Sequence, residues 1–246
     1  MPELARMKYL CVCFLLLTSV VWADDLFELV DQNRVSKVNE ILIEFPELVN
    51  KKQQNVSLLH VACFKGSEPM AKMLLENGAD IDAEDMLGSS PLYRALANEH
   101  AELALFLIAE GADLDHADKT GVTPFMAASC VLEVAALSSL IEREADLERE
   151  DHQGRTALHH SIEKERLENV QALIKAGADI DHQDKKGRTV LHKAVASGQV
   201  RLVEVLLAAG VNTGLKDKRG RTAQSLARER SDSRMYEMLK PEEKKQ

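Results

Sequence analysis

The residues with the most chemical potential are the neighbouring histidines His159 and His160 and a set of aspartates in Ala-Asp pairs. A histidine pair could act in acid–base catalysis, and a row of carboxylates could bind Ca²⁺. Such chemistry usually comes with partner residues at fixed spacing. The sequence contains no HExxH, no GxSxG, no phosphate-binding glycine loop and no CxxC. The motif search therefore predicts no catalytic site, no metal site and no cofactor.

A period of 33 residues sets the positions of these side chains along the chain. The stretch Asp184–Asn212 shows the whole pattern: a turn with Gly187, a short first helix, and an apolar second helix that runs to Gly210. The Ser or Thr that opens each copy recurs at Ser57, Ser90, Thr123, Thr156, Thr189 and Thr222. Six copies in phase predict one elongated repeat protein in which each unit packs on its neighbours.

The period and the box that follows each Ser or Thr resemble the ankyrin repeat. The resemblance covers about Asp25–Leu239 and implies an all-α repeat fold, an ankyrin-repeat solenoid of helix–turn–helix units with β-turn tips. The implied segments are an N-terminal helical cap at 24–50, five repeats within 51–216 (about 52–84, 85–117, 118–150, 151–183 and 184–216), a C-terminal capping repeat at 217–240 and a tail at 241–246.

Local signals agree with this assignment. Each Ser or Thr is a natural helix N-cap, and Pro46 is expected to end the second helix of the cap. The tip turns carry Gly, or Asn55 in the first copy, because these residues adopt a positive φ at low cost. Second helices are expected to end at left-handed glycines, namely Gly78, Gly111, Gly177 and Gly210. Glu144 departs from that rule, so a reshaped helix end is expected in the third repeat. A last helix is predicted at about Arg234–Leu239.

Repeat register also gives the suggestive side chains structural roles. In family terms, His60, His159 and His192 fall on the box histidine. His116 and His182 occupy equivalent loop positions two repeats apart, too distant to share a metal ion at roughly 10 Å per helical layer. The aspartates of the Ala-Asp pairs are expected to accept hydrogen bonds from their own backbone. These aspartates are Asp80, Asp113, Asp146 and Asp179.

The N-terminal segment 1–23 has the pattern of a secretory signal peptide. Basic residues precede the apolar run Tyr9–Val21, and the small residue Ala23 stands before Asp24, the expected cleavage point. The alternative is a membrane anchor, but the run is shorter than the roughly 20 residues that a span needs. The pattern predicts export to the periplasm without membrane attachment after cleavage. A eukaryotic secreted origin is the alternative, and a start further inside the chain would give a cytosolic form.

Charge and cysteine usage narrow the function classes. The formal net charge of −9 and the pI of about 5.4 argue against general nucleic-acid binding, which depends on basic side chains. Cys63 and Cys130 lie two repeats apart, so their Cα atoms should exceed the roughly 7 Å that a disulfide can bridge. Cys63 also falls where the family has a buried Ala, which predicts an inert thiol.

The surface that remains is the candidate site. In this family, the resemblance implies that partners contact the tips and the inner face of each first helix. Tip residues expected to bind a partner are Met86, Leu87, Thr120, Val122, His152, Arg155, Lys185, Lys186, Arg188, Lys218, Arg219 and Arg221. The first helices add Cys130, Val131 and Lys164, with Phe64 at the corresponding position of the first repeat.

Two features of these tips differ from an ordinary polar surface. Met86 and Leu87 place adjacent large apolar residues at a tip, which favours an interaction site unless they pack against the neighbouring tip. The last tips carry a basic ridge, defined as Arg155, Lys185, Lys186, Arg188, Lys218, Arg219 and Arg221. The ridge could steer an acidic partner, or it could be a solvated face balanced by the aspartate beside each turn.

These observations predict an exported, non-enzymatic protein that is monomeric alone and binds another protein through its concave face. Small exported ankyrin chains of this design are similar to immunity proteins that neutralise lipase or phospholipase effectors of type VI secretion. That resemblance implies a cognate toxin as the partner, blocked sterically at its active-site mouth. The alternatives are a periplasmic accessory protein for oxidative-stress defence and a secreted eukaryotic scaffold.

Overall fold

Pairs of short helices recur along the chain at the interval that the sequence predicts. The computed structural model describes residues 25–143, 145–162 and 166–240. Within these ranges the six first helices begin at Leu58, Pro91, Pro124, Ala157, Val190 and Ala223, in steps of 33 residues. The fold divides into two units, one ending at Ala112 and the other beginning at Asp113.

The first unit opens with the helical cap and contains two full helix pairs. Residues 25–31 form helix α1. The following elements are α2 (Val35–Glu44), a 3₁₀ turn (Pro46–Leu48), β1 (Lys52–Gln53), β2 (Val56–Ser57), α3 (Leu58–Lys65), α4 (Glu68–Glu76), α5 (Pro91–Ala97) and α6 (Ala101–Ala109). Helix α2 ends one residue before Phe45 and so before Pro46, as predicted. The strands pair antiparallel, with Lys52 opposite Ser57 and Gln53 opposite Val56.

The second unit consists of four further helix pairs. Its elements are α7 (Pro124–Val131), α8 (Val134–Ile141), α9 (Ala157–Ser161), α10 (Leu167–Lys175), α11 (Val190–Ser197), α12 (Val200–Ala208), α13 (Ala223–Glu229) and α14 (Ser233–Met238). First helices pack on first helices, as α7 does on α9, and second helices pack on second helices, as α8 does on α10. The last helix confirms the one predicted at the C-terminus to within a residue.

Capping explains why each first helix starts where it does. The hydroxyls of Ser57, Ser90, Thr123, Thr189 and Thr222 each accept the backbone N–H three residues on. These bonds satisfy N–H groups that have no partner inside the helix. Pro91 and Pro124 occupy the first helical position, where a missing N–H costs nothing.

The turns use the left-handed residues that the sequence predicts. Asn55, which replaces glycine at the first tip, has φ 63°. Second helices are followed by Gly78 (φ 85°), Gly111 (φ 97°), Gly177 (φ 99°) and Gly210 (φ 83°). The reshaped helix end expected at Glu144 lies outside the described residues.

Apolar side chains between neighbouring repeats form the core of each unit. In the first unit Leu58, Leu74 and Leu92 are fully buried, and in the second unit Phe125 and Leu173 are buried to within 1%. Burial of each such side chain contributes about 1.5–3 kcal/mol relative to exposure. Across the described residues, no helix is both long enough and apolar enough to span a bilayer.

Candidate protein-binding surface

Each of the last three tips in the second unit is built around one buried aspartate. Its Oδ1 atom accepts the backbone N–H groups two and four residues on. For Asp184 these donors are Lys186 at 2.8 Å and Arg188 at 2.9 Å. The tips of Asp151 and Asp217 repeat both bonds at 2.7–2.9 Å. The carboxylate therefore holds each turn in a fixed shape.

The second carboxylate oxygen of these aspartates binds the arginine four residues on. The shortest contacts are 2.7 Å from Arg155 to Asp151, 2.7 Å from Arg188 to Asp184 and 2.8 Å from Arg221 to Asp217. Burial would raise the pKa of Asp184, but the guanidinium and backbone hydrogen bonds outweigh it and hold that pKa below its ordinary value. The carboxylates are thus ionised and matched to an internal cation.

Backbone hydrogen bonds join neighbouring tips of the second unit into a row. His152 N–H donates to Thr120 O at 2.8 Å, Lys185 N–H to Gln153 O at 2.8 Å, and Lys218 N–H to Lys186 O at 2.9 Å. These bonds cross from one repeat to the next, so side chains on adjacent tips keep a constant spacing. A preorganised surface of this kind loses less conformational entropy on binding a partner than a flexible one does.

The box histidines link one repeat to the next and are not arranged for catalysis. His192 Nδ1 accepts the Thr189 N–H at 3.2 Å, and its Nε2 donates to Arg221 O at 3.0 Å. His60 makes the same bridge to Ser89 O in the first unit, at 2.9 Å. Burial lowers the pKa of His60, and burial lowers that of His159 to about 4. The imidazoles of His60 and His159 are therefore neutral near pH 7, and the box histidines act as structural ties between repeats, as the register argument predicts.

The remaining suggestive side chains also serve the fold. His160 Nε2 lies 3.1 Å from Asp151 Oδ2, so it supports the same tip carboxylate as Arg155. The four aspartates of the Ala-Asp pairs each accept the backbone N–H two residues on, which confirms the structural role predicted for them. In the part of the chain that the structure describes, no cluster of His, Cys, Asp or Glu could hold a metal ion.

The groove beside the helical cap does not bring together the groups that nucleophilic catalysis needs. A groove of about 650 Å³ lies between α1 and α2, and its polar lining is mainly carboxylate, including Asp25, Glu28 and Glu40. It is open to solvent and holds no histidine, cysteine or serine among its lining residues. Nucleophilic catalysis needs a nucleophile and base within hydrogen-bond reach.

The basic ridge separates into two classes of residue. Arg155, Arg188 and Arg221 are half-buried and ion-paired with the tip aspartates, so much of their charge is neutralised within the fold. Exposed basic side chains remain at Lys185, Lys186, Lys218 and Arg219. The prediction of a ridge balanced by adjacent aspartates therefore describes the three paired arginines. For the four exposed residues, the prediction of a steering surface stands.

The apolar tip of the first unit faces solvent. Met86 and Leu87 are each 57% exposed, although residues this apolar are usually covered. Phe64, at the end of helix α3 in the same unit, is 52% exposed. The tip itself is rigid, because Asp85 Oδ1 accepts the Leu87 and Ser89 N–H groups at 2.7 and 3.0 Å. Packing of Met86 and Leu87 against a neighbouring tip does not remove them from water.

The other predicted partner residues differ in accessibility. Thr120 and His152 are exposed, whereas Val122, Cys130 and Val131 are half-buried. Lys164 and the expected cleavage site, Ala23 and Asp24, lie outside the described residues. Their binding and processing roles stay predictions.

The cysteines do not support thiol chemistry at the core. Neither of the two cysteines that the structure describes, Cys63 and Cys130, is in a disulfide. Cys63 is fully buried, and burial raises its pKa far above the ordinary value. A thiol in this setting is inert, which agrees with the prediction from its repeat position.

Sequence reasoning missed the cations that come from outside the turn. Asp85 has no arginine four residues on; instead Arg94, from helix α5, donates to its Oδ2 through Nε at 2.9 Å and also through Nη2. The position nine residues after the tip aspartate carries this arginine, and His160 stands at the same position of the fourth repeat. Comparing that column across repeats would have shown the signal.

Comparison with known proteins agrees with the geometry. A family model for ankyrin repeats (3 copies) matches residues 26–118 and 92–184, and a second ankyrin-repeat model (many copies) matches residues 173–227. The crystal structure of the ankyrin repeat domain of Bcl-3, described as a unique member of the IkappaB protein family, is similar at 26% identity. That match covers 87% of this chain and 96% of the Bcl-3 chain, with a TM-score of 0.68. No curated protein matches by sequence. Since the models match most of its length, the chain belongs to the ankyrin-repeat family, whose fold is a protein-interaction scaffold and generally not an enzyme.

Proposed function

We propose that this chain is an exported immunity protein that binds and neutralises an antibacterial lipase or phospholipase effector. The ankyrin fold supports protein binding as the activity, and the signal-like segment 1–23 supports export. The toxin class comes from the resemblance to small exported ankyrin chains. The identity of the partner as a toxin therefore depends on this resemblance, whereas protein binding is supported by the fold.

The observation that carries a binding role is the exposed apolar tip of the first unit. Met86 and Leu87 are large side chains, both 57% exposed, on a turn fixed by Asp85. Exposed apolar groups on a rigid support mark contact sites, because their burial by a partner releases water at little conformational cost. With Phe64 exposed in the same unit, the first unit offers apolar anchors for a complex.

The mechanism that fits this surface is steric. The histidines and aspartates that could do chemistry are used to hold the turns and join the repeats. A rigid set of tips can cover the mouth of a toxin's active site without reacting with it. The exposed basic residues Lys185, Lys186, Lys218 and Arg219 would speed association with an acidic patch on the toxin.

Co-expression tests the immunity role directly. The toxin genes to use are those beside the gene for this chain, with cell survival and complex formation as readouts. We expect protection by the wild-type chain, and the double variant Met86→Ser/Leu87→Ser should bind at least about 30-fold more weakly, as expected for loss of about 2 kcal/mol at an interface hot spot. Ile43→Ser is the matched control, since Ile43 is 68% exposed in the same unit but lies on helix α2.

Three results would contradict the proposal. Absence of both protection and complex formation with the neighbouring toxins removes the immunity role. Equal losses from Ile43→Ser and from the double variant would show that exposed apolar area in general, and not this tip, carries the binding. Recovery of the protein in the cytosol with its apolar segment retained would contradict export. Mass spectrometry of the periplasmic fraction tests export directly, because the exported chain should begin at Asp24.

A further inference from the structure

The third repeat breaks the rule by which every other tip aspartate is paired with an internal cation. Among the described residues, Asp151, Asp184 and Asp217 bind an arginine from their own turn, and Asp85 binds Arg94 from the following helix. Asp118 stands at the same repeat position. Its turn therefore offers a direct comparison with four tips of the same construction.

Asp118 keeps the hydrogen bonds from backbone N–H groups to Oδ1 but lacks the cation that binds Oδ2 in the other tips. Its Oδ1 accepts Thr120 N–H at 2.8 Å, Val122 N–H at 3.0 Å and the Thr120 hydroxyl at 2.7 Å. The other oxygen, Oδ2, forms no hydrogen bond or ion pair with any residue in the described ranges. Asp118 is also half-buried, whereas the four paired aspartates are buried.

The two positions that supply cations elsewhere are both apolar here. Val122 replaces Arg155 and Arg188 of the later tips, and Ala127 replaces the Arg94 or His160 of other first helices. Both side chains are shorter than those they replace and both are half-buried. At the two repeat positions that supply the cation in the other tips, the Asp118 turn therefore carries only small apolar side chains.

We propose that this turn, the Asp118 tip, receives an arginine side chain from the partner protein. The Asp184 tip, two repeats further on, indicates the geometry: Arg188 places Nε at 2.9 Å and Nη2 at 2.7 Å from Asp184 Oδ2. A planar guanidinium makes this forked contact, and its flat face suits apolar neighbours such as Val122 and Ala127 better than a strongly hydrated ammonium does. The inference deepens the proposed function, since it names the chemistry of one partner contact.

Hydrogen bonds and contact with the next tip hold the Asp118 tip rigid. Thr120 O accepts the N–H of His152 from the next tip at 2.8 Å, and a Cβ added at Gly121 would lie 2.7 Å from that same nitrogen. The two turns are therefore in direct contact, and Asp118 is held by three hydrogen bonds. An incoming guanidinium meets an acceptor that needs no rearrangement, which favours binding.

A titration that does not require the toxin tests the site. The probe is N-acetyl-arginine N-methylamide, added to the ¹⁵N-labelled protein, with the uncharged N-acetyl-citrulline N-methylamide as the matched control. Thr120 and Val122 amides report on Asp118, because both donate to its Oδ1. We expect saturable shifts of these two signals with the arginine probe, at millimolar concentrations, and shifts at least tenfold smaller at the corresponding amides Lys186 and Arg188.

Two variants complete the test. Val122→Arg supplies an internal guanidinium, so the protein should stay folded and the response to the probe should fall at least tenfold. Asp118→Asn keeps an oxygen for the backbone donors but removes the charge, and should abolish the response as well. Equal shifts at every tip, an equal response to the citrulline probe, or an unchanged response in folded Val122→Arg would overturn the proposal.

Failure of this site and failure of the proposed function give different results. A saturable arginine response without any toxin complex would contradict the immunity role and retain the site. A toxin complex whose affinity is unchanged by Val122→Arg would refute the partner arginine while the immunity role stands.

Discussion

The close contact between adjacent tips gives a prediction that can be tested with a matched pair of glycines. Gly187 and Gly220 occupy the same place in successive turns, with φ of 73° and 76°. Each donates its N–H to the backbone carbonyl of its tip aspartate, at 2.7 Å to Asp184 O and 2.8 Å to Asp217 O. A Cβ at Gly187 would lie 2.9 Å from Lys218 N, whereas a Cβ at Gly220 meets no atom within 4 Å. Substitution by alanine therefore separates backbone strain from contact with the next repeat.

The magnitudes follow from these distances. A left-handed backbone costs a residue with a Cβ about 1–2 kcal/mol, so Gly220→Ala should lower the free energy of unfolding by about that amount. Gly187→Ala has the same backbone cost and must also displace the Lys218 peptide, which donates to Lys186 O. Loss of that hydrogen bond adds about 1 kcal/mol, and the steric contact adds more. We expect Gly187→Ala to lose at least about 1 kcal/mol more than Gly220→Ala.

Urea unfolding followed by circular dichroism measures this difference, provided that the slope of free energy against urea is the same for both variants. Hydrogen exchange at the Lys218 amide gives an independent local readout, and protection there should fall in Gly187→Ala but not in Gly220→Ala. Equal destabilisation by the two substitutions, with unchanged protection at Lys218, would refute the claim that the tips are locked together by direct backbone contact.

The remaining predictions concern acid and thiol chemistry. Burial lowers the pKa of His60 and lowers that of His159 from 6.5 to about 4. These histidines therefore take up protons at a higher pH in the unfolded chain than in the folded protein. The free energy of unfolding should accordingly fall as the pH drops from about 6.5 to about 4. For His159 the loss of unfolding free energy is up to about 3 kcal/mol. Urea unfolding across this pH range should show a smaller loss for His159→Gln than for the wild-type protein, whereas the exposed control His152→Gln should lose as much as the wild type. A thiol reagent followed by peptide mapping should modify half-buried Cys130 and leave the fully buried Cys63 intact until unfolding, and rapid modification of Cys63 in the native protein would contradict its burial.

The sequence by itself determined the repeat architecture, because the signals involved are local. A hydroxyl three residues before an N–H caps a helix wherever it occurs, and a glycine after a helix allows the left-handed turn. These rules place the helix starts at Leu58 and Val190 and the helix ends before Gly78 and Gly210, as the structure has them. The 33-residue period then requires each apolar helix to be covered by the next repeat.

Only the tertiary structure decided which tip side chains are available to a partner. Arg188 and Lys186 are both basic residues of one turn, yet the arginine is bound to Asp184 and the lysine is exposed. Arg94 reaches Asp85 from a different element, whereas Asp118 has no such cation within the described residues. The physical reason is that capping and turn formation depend on neighbours within four residues, whereas charge pairing and exposure depend on the space between elements. That space exists only when the repeats have packed.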